Sequence, residues 1–174
     1  MLSTIEINLL SVISTVRLGV YYLSKEQPSA TGQRSIVLSA SASSMQNFGA
    51  ADYTTAKHGV LGILRGLTDD LAVASCGVRL NAVAPSWTAT GLVPREVVEG
   101  LGARVQEPEA VARGVLSLFC GTERHEELVY IWDSRYFEIN KVEGGLLDAA
   151  LKVLPLPVSE DEIMRRLKKA AGGS

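Results

Sequence analysis

Tyr53 and Lys57 stand four residues apart inside a run of helical periodicity, so their side chains leave one helix face a single turn apart. A phenol, ordinarily titrating at about 10, is a poor acid or base near neutrality, and a neighbouring ammonium favours the phenolate and brings it into range. Such a pair suits proton exchange with an alcohol or carbonyl oxygen. Hydroxyl groups gather around it in the sequence. Ser39, Ser41 and Ser43 lie ten to fourteen residues before Tyr53, and Thr88 and Thr90 follow the next apolar run and Pro85. On residue chemistry alone each of these serines also fits an ordinary turn or cap.

The elements that position these groups can be read from periodicity. Ile5, Leu9, Val12, Ile13, Val16 and Val20 predict a helix over residues 3–23, opened by Ser3 with Glu6 three residues later. The polar segment KEQPSATGQR delivers the chain into Ser35, Ile36, Val37, Leu38 and Ser39, a short buried strand. A second helix carries Tyr53, Ala56, Val60, Leu61, Leu64, Leu67 and Leu71 towards Gly77, and residues 78–84 form the second strand. After a loop with a short helical pattern, Pro108 opens a helix through Val111, Val115, Leu116 and Phe119, and residues 128–132 form the third strand. Residues 142–153 read as a weaker helix, and Ser159 with Glu162 opens a charged amphipathic one. Arg165, Arg166, Lys168 and Lys169 on that last helix read as a solvated face.

Strands separated by helices imply parallel βαβ units: an α/β protein with part of a Rossmann-like doubly wound sheet of about three strands. A single domain over residues 1–174 is expected, with a core to residue 140 and a helical extension over 141–174.

Taken in order, IVLSASAS, YTTAK, GVRLNAVAP and SWTAT, with Asn8 in the helix before them, resemble the short-chain dehydrogenase/reductase family. Its pattern runs Asn, Ser, Tyr-x-x-x-Lys, then Pro-Gly-x-x-x-Thr. The resemblance covers residues 3–133, and YIWDSRYFEIN looks like the last strand of that fold. It implies that Tyr53 is the general acid/base and that Lys57 lowers its pKa and holds the nicotinamide ribose. It further implies that Asn8 anchors a water relay, that Ser41 orients the substrate oxygen, and that Thr88 and Thr90 meet the nicotinamide amide and phosphates. The implied cofactor is NADP, with NAD left open, because the residues that read the ribose 2′ position belong to a part of the fold preceding these motifs. The implied assembly is a homo-oligomer built through helices around residues 3–23 and 53–74.

Three departures from the family pattern stand out. The position 13 residues before Tyr53 is Ala40, so Ser41 fits only when aligned from the strand, and Ser39 and Ser43 stay open. Ser86 stands where the family has Gly. The Gly-rich phosphate loop and the first strands of the family fold have no counterpart before residue 3, so the chain reads as the C-terminal part of such an enzyme. Gly59, Gly62 and Gly66 lie within the Tyr53 helix and read as helix-packing positions, not a phosphate loop. The first strand would then expose an apolar edge, and marginal stability is expected of the chain by itself.

Two functions compete on this reading. The first is an NAD(P)-dependent oxidoreductase interconverting a ketone and a secondary alcohol, whose phrases RLNAVAPSWTATGLV and YIWDSRYFEINKVEGG resemble dehydrogenases of fungal secondary-metabolite pathways. The second is a degenerate relative or half of a split enzyme, acting as an interaction module. Composition excludes other classes. Of 174 residues 47% are hydrophobic and 21% charged, which supports a packed core. Seventeen Lys and Arg against nineteen Asp and Glu leave a net charge of −2, without the basic footprint of a nucleic-acid binder. Charges at Arg17, Lys25, Lys57 and Arg65 interrupt the apolar stretches, so no membrane span is expected. Cys76 and Cys120 have no metal-ligand spacing and read as reduced core residues of a cytoplasmic protein.

Overall fold

A computed structural model describes residues 2–25, 34–68, 77–92, 94–153, 163, 166 and 167. They fall into two units, residues 1–139 and residues 140–174. In the first, a four-stranded sheet runs in the order β1 (Arg34–Ser39), β2 (Val78–Pro85), β3 (Leu128–Trp132), β4 (Arg135–Glu138). β1, β2 and β3 are parallel neighbours, as βαβ connections require, with Ile36 opposite Leu80 and Val83 opposite Val129. β4 returns antiparallel to β3 and pairs Trp132 with Arg135.

The fourth strand corrects the expectation of about three. Asp133 and Ser134 both take positive φ, 51° and 58°, which closes a two-residue hairpin. Neither is glycine, so the sequence carried no ordinary signal for that turn.

The first helical run consists of α1 (Leu2–Ile5), a π-helical segment Glu6–Leu10, and α2 (Ser11–Lys25). α3 (Ala51–Thr68) carries Tyr53 and Lys57. The short α4 (Arg95–Gly100) precedes α5 (Pro108–Cys120), which starts on its proline. Strand alternation assigns the two faces of the sheet. An added Cβ at Gly19 of α2 would stand 3.2 Å from Ile36, and Ile36 shares its face with Leu80, its partner in register. α3 lies beside that first helical run: a Cβ at Gly59 would stand 2.6 Å from Leu9. Gly62 and Gly66, by contrast, face open space, so only Gly59 of the three marks a close helix approach.

The opposite face carries Val83, Val129 and Ile131 against Ala110 and Leu118 of α5. Arg79 locks the end of α5, donating to the carbonyls of Leu118 and Phe119 at 3.0 Å, which satisfies acceptors that a helix C-terminus leaves unpaired. Because Leu118 is fully buried, Leu118→Ala is expected to cost about 3 kcal/mol of unfolding free energy, read from the urea midpoint.

Two sequence expectations change here. Residues 3–25 form one helical run of 23 residues that contains an 18-residue stretch of mean hydropathy 1.3, long and apolar enough by length and composition to cross a membrane, because Glu6 and Lys25 stand near its two ends. Cys120 is an exposed free thiol at the last residue of α5, on the side of that helix away from Leu118, and not a core residue. Cys76, the end of the Tyr53 helix beyond Thr68, the turn before Arg34 and most of the charged C-terminal segment lie outside the described residues. In the second unit, α6 (Leu146–Val153) is shorter than the predicted 142–153. Gly144 N–H and Lys152 both reach Asp148 in its first turn.

Candidate active site

The C-terminal ends of β1 and β2 and the first turns of α3 surround a cavity of about 730 Å³. Tyr53, Lys57, Ser39, Ser41, Ser43, Thr88 and Thr90 all line it, so the topology gathers seven of the eight residues singled out by sequence. The eighth, Asn8, is outside the lining. It lies in the π-helical segment packed beside α3, and its side-chain amide donates to Thr4 carbonyl at 3.2 Å. π-segments of this kind concentrate at functional sites.

Tyr53 stands in the first turn of α3 and Lys57 one turn later, with the Lys57 ammonium 5.6 Å from the centroid of the Tyr53 ring. Lys57 is 8% exposed, and its Nζ donates to the carbonyl of Ser39 at the end of β1, 2.9 Å away. Burial pushes its pKa below the ordinary 10.5. A buried ammonium with one carbonyl partner keeps donors free for a group entering the cavity, since an ammonium carries three.

The serine-rich turn after β1 is a folded device. Ser41 caps the 3₁₀ turn Ala42–Ser44, accepting from the N–H of Ser43 at 3.2 Å, while Ser44 accepts from the N–H of Ser41 at 3.2 Å. Ser44 then donates to the carbonyl of Lys57 at 2.7 Å, fastening the turn to α3. Ser41 uses its hydroxyl oxygen as the cap acceptor, which leaves its O–H to donate into the cavity. Ser43 is also buried on the cavity wall, and its Oγ has no hydrogen-bond partner.

The loop after β2 is held by Gln106, a residue that sequence reasoning passed over. It is 4% exposed and donates to Thr88 Oγ1 at 3.3 Å and to Ile131 carbonyl at 3.0 Å. Its side-chain oxygen accepts from Ser134 N–H at 3.1 Å, and its backbone pairs with Trp87 and Ala89. Gln106→Leu keeps the volume and strands these partners. A loss of about 2 kcal/mol in urea unfolding, with a changed Trp87 fluorescence, is expected. Thr88 also donates to Ser86 carbonyl at 2.9 Å, and Thr90 is exposed, its hydroxyl oxygen 3.4 Å from Leu92 N–H. Apart from Gln106, the sequence reading missed Ser44 and Phe48. Ser44 could have been found as the residue three positions after Ser41, the far end of a capping box that begins there.

A nicotinamide ring and its ribose fit this donor set: a buried ammonium, the serine and threonine hydroxyls that line the same cavity as the phenol, and a loop held in place beside them. Chemically, the arrangement can hold a carbonyl or carbinol oxygen between Tyr53 and a serine hydroxyl and move one proton.

Comparison with known proteins shows the family of the chain. The family described as short chain dehydrogenase matches residues 1–98. The short-chain dehydrogenase/reductase ascJ of Acremonium egyptiacum is 37% identical over 172 residues, covering 97% of this chain and 57% of that protein. The 15-hydroxyprostaglandin dehydrogenase of Bos taurus is 30% identical over 131 residues, 66% of this chain and 49% of that protein. This chain therefore spans about half the length of the curated relatives it matches. Among solved structures, a 3-hydroxyacyl-CoA dehydrogenase type-2 from Mycobacterium avium shares the fold with a TM-score of 0.66 at 23% identity, over 78% of this chain and 55% of that one.

Proposed function

The chain belongs to the short-chain dehydrogenase family, and from that premise we propose that its cavity interconverts a ketone and a secondary alcohol with a nicotinamide cofactor. The observation that carries this reading is the placement of Tyr53 and Lys57 on one face of α3, both lining the cavity that receives Ser41 and Thr88. A cofactor bound there supplies or accepts the hydride.

The chain's own groups do the rest. Tyr53 gives its hydroxyl proton to the substrate oxygen in reduction and takes it back in oxidation. Lys57 sets a positive charge where the phenol oxygen turns negative, and its free N–H donors hold the ribose hydroxyls. Ser41 donates to the substrate oxygen and fixes its distance from Tyr53. Thr88 and Thr90 hold the amide and phosphate end, with Gln106 keeping Thr88 in place. Asn8, beside α3, anchors the route by which Tyr53 regains its proton.

NADP is assigned as the cofactor ahead of NAD on the family resemblance, together with a cytoplasmic location, and a place in fungal secondary metabolism is assigned on the phrases RLNAVAPSWTATGLV and YIWDSRYFEINKVEGG. Assembly as a homo-oligomer through residues 3–23 and the helix from residue 53 is supported by the apolar side chains that α2 leaves exposed, among them Leu18, Tyr21 and Tyr22.

Titration of NADPH and NADH into the chain tests the reading. Saturable enhancement of the nicotinamide fluorescence is expected, lost in Lys57→Ala. No binding of either at high concentration contradicts it and favours the alternative of an interaction module.

A further inference from the structure

The cavity carries a second feature that proton transfer does not use. Phe48, in the segment between the 3₁₀ turn and α3, packs its ring 6.4 Å from the ring of Tyr53 at 60°. Trp87, on the loop after β2, packs 5.9 Å from Phe48 at 57°. Both line the cavity, yet Phe48 is 43% and Trp87 37% exposed. Two large rings left open beside a reactive phenol lose favourable free energy to hydration unless something covers them. Val111 and Val115 of α5 also line the cavity. Among the described residues of the lining no carboxylate occurs, and Lys57 is the one cation, its donors shared between Ser39 carbonyl and, on the reading above, the cofactor ribose.

On the reading that this site exchanges a proton with a carbonyl oxygen, we propose that its substrate is an uncharged ketone or secondary alcohol with a planar ring system next to the reacting carbon. The ring system lies on the Phe48–Trp87 wall. Offset or edge-on aromatic packing adds to the area it covers and fixes which side of the carbonyl faces Tyr53. A charged substrate would leave its charge unpaired against the apolar walls. A body as small as acetoin would leave both rings wet.

The fluorescent aryl ketone prodan, uncharged and sensitive to the polarity around it, reads binding without turnover. The 174-residue chain is expected to bind it saturably with a blue-shifted emission, displaced by acetonaphthone and not by levulinate. Phe48→Ala and Trp87→Ala should each weaken binding about tenfold, with Phe48→Leu between. Circular dichroism verifies that the variants fold. Glu123→Gln in the exposed turn after α5 should leave binding unchanged. Binding by both alanine variants as tight as by the parent, or displacement by levulinate as effective as by acetonaphthone, overturns the proposal. Prodan binding with no reduction under any nicotinamide cofactor removes the redox reading and leaves the aromatic wall standing. Reduction of acetoin without prodan binding does the reverse.

Discussion

Tyr53→Phe is expected to lower ketone reduction about 10³-fold while leaving the fold and nicotinamide binding intact. The substitution removes one oxygen from a half-buried side chain whose hydroxyl fastens no neighbouring element among the described residues. The ring stays against Phe48, so the wall of the cavity is preserved. What disappears is the proton donor at the substrate oxygen. Steady-state rates with NADPH and thermal melts of the two proteins check it. A variant within a few-fold of the parent in rate would place the proton donor elsewhere.

Lys57→Met is expected to separate activity from stability. Turnover falls about 10²-fold, because the positive charge beside Tyr53 and the donors for the ribose are gone. Stability at neutral pH stays within about 1 kcal/mol of the parent, since the lost bond to Ser39 carbonyl is offset by burying methionine in place of an ammonium. The pH dependence carries a sign. Burial lowers the folded-state pKa of Lys57 below 10.5, so the unfolded chain holds the proton more tightly and the charged lysine costs stability at all pH values below its folded pKa. That cost is relieved as pH rises through the folded pKa towards 10.5. The parent should therefore gain stability relative to Lys57→Met across that alkaline window, measured as paired urea midpoints. A parent that loses stability relative to the variant there would mean the lysine is held by a stabilising partner and not strained by burial.

Much of the fold was legible because its signals are local. β1 and β2 are apolar runs bounded by turn chemistry, Pro108 opens α5, and the spacing of Val60, Leu61 and Leu64 places one face of α3 in the core. The clustering of Tyr53, Lys57, the serines and Thr88 followed from order along the chain, because strand ends of parallel units converge on one edge. What was hidden depends on contacts distant in sequence. Gln106 is one glutamine in a loop, and only the approach of the β3–β4 hairpin gives it Ile131 and Ser134 as partners. His125, in the polar turn after α5, accepts from the N–H of Leu80 in β2 at 3.0 Å. The hairpin itself was missed because Asp133 and Ser134 adopt left-handed backbone without glycine. The first helical run was predicted almost to its ends, over residues 3–23 against the observed 2–25, and what was underread is its apolarity, because scattered charges were weighed singly.

The most direct test of the Tyr53–Lys57 assignment follows hydride and proton together. The chain is incubated with an aryl ketone and reduced nicotinamide cofactor deuterated at the transferred position, and the alcohol is analysed by mass spectrometry. The account predicts one deuterium on the carbinol carbon with the parent chain and no product above background with Tyr53→Phe. Unlabelled alcohol, no alcohol from the parent, or equal labelled product from both proteins would contradict it.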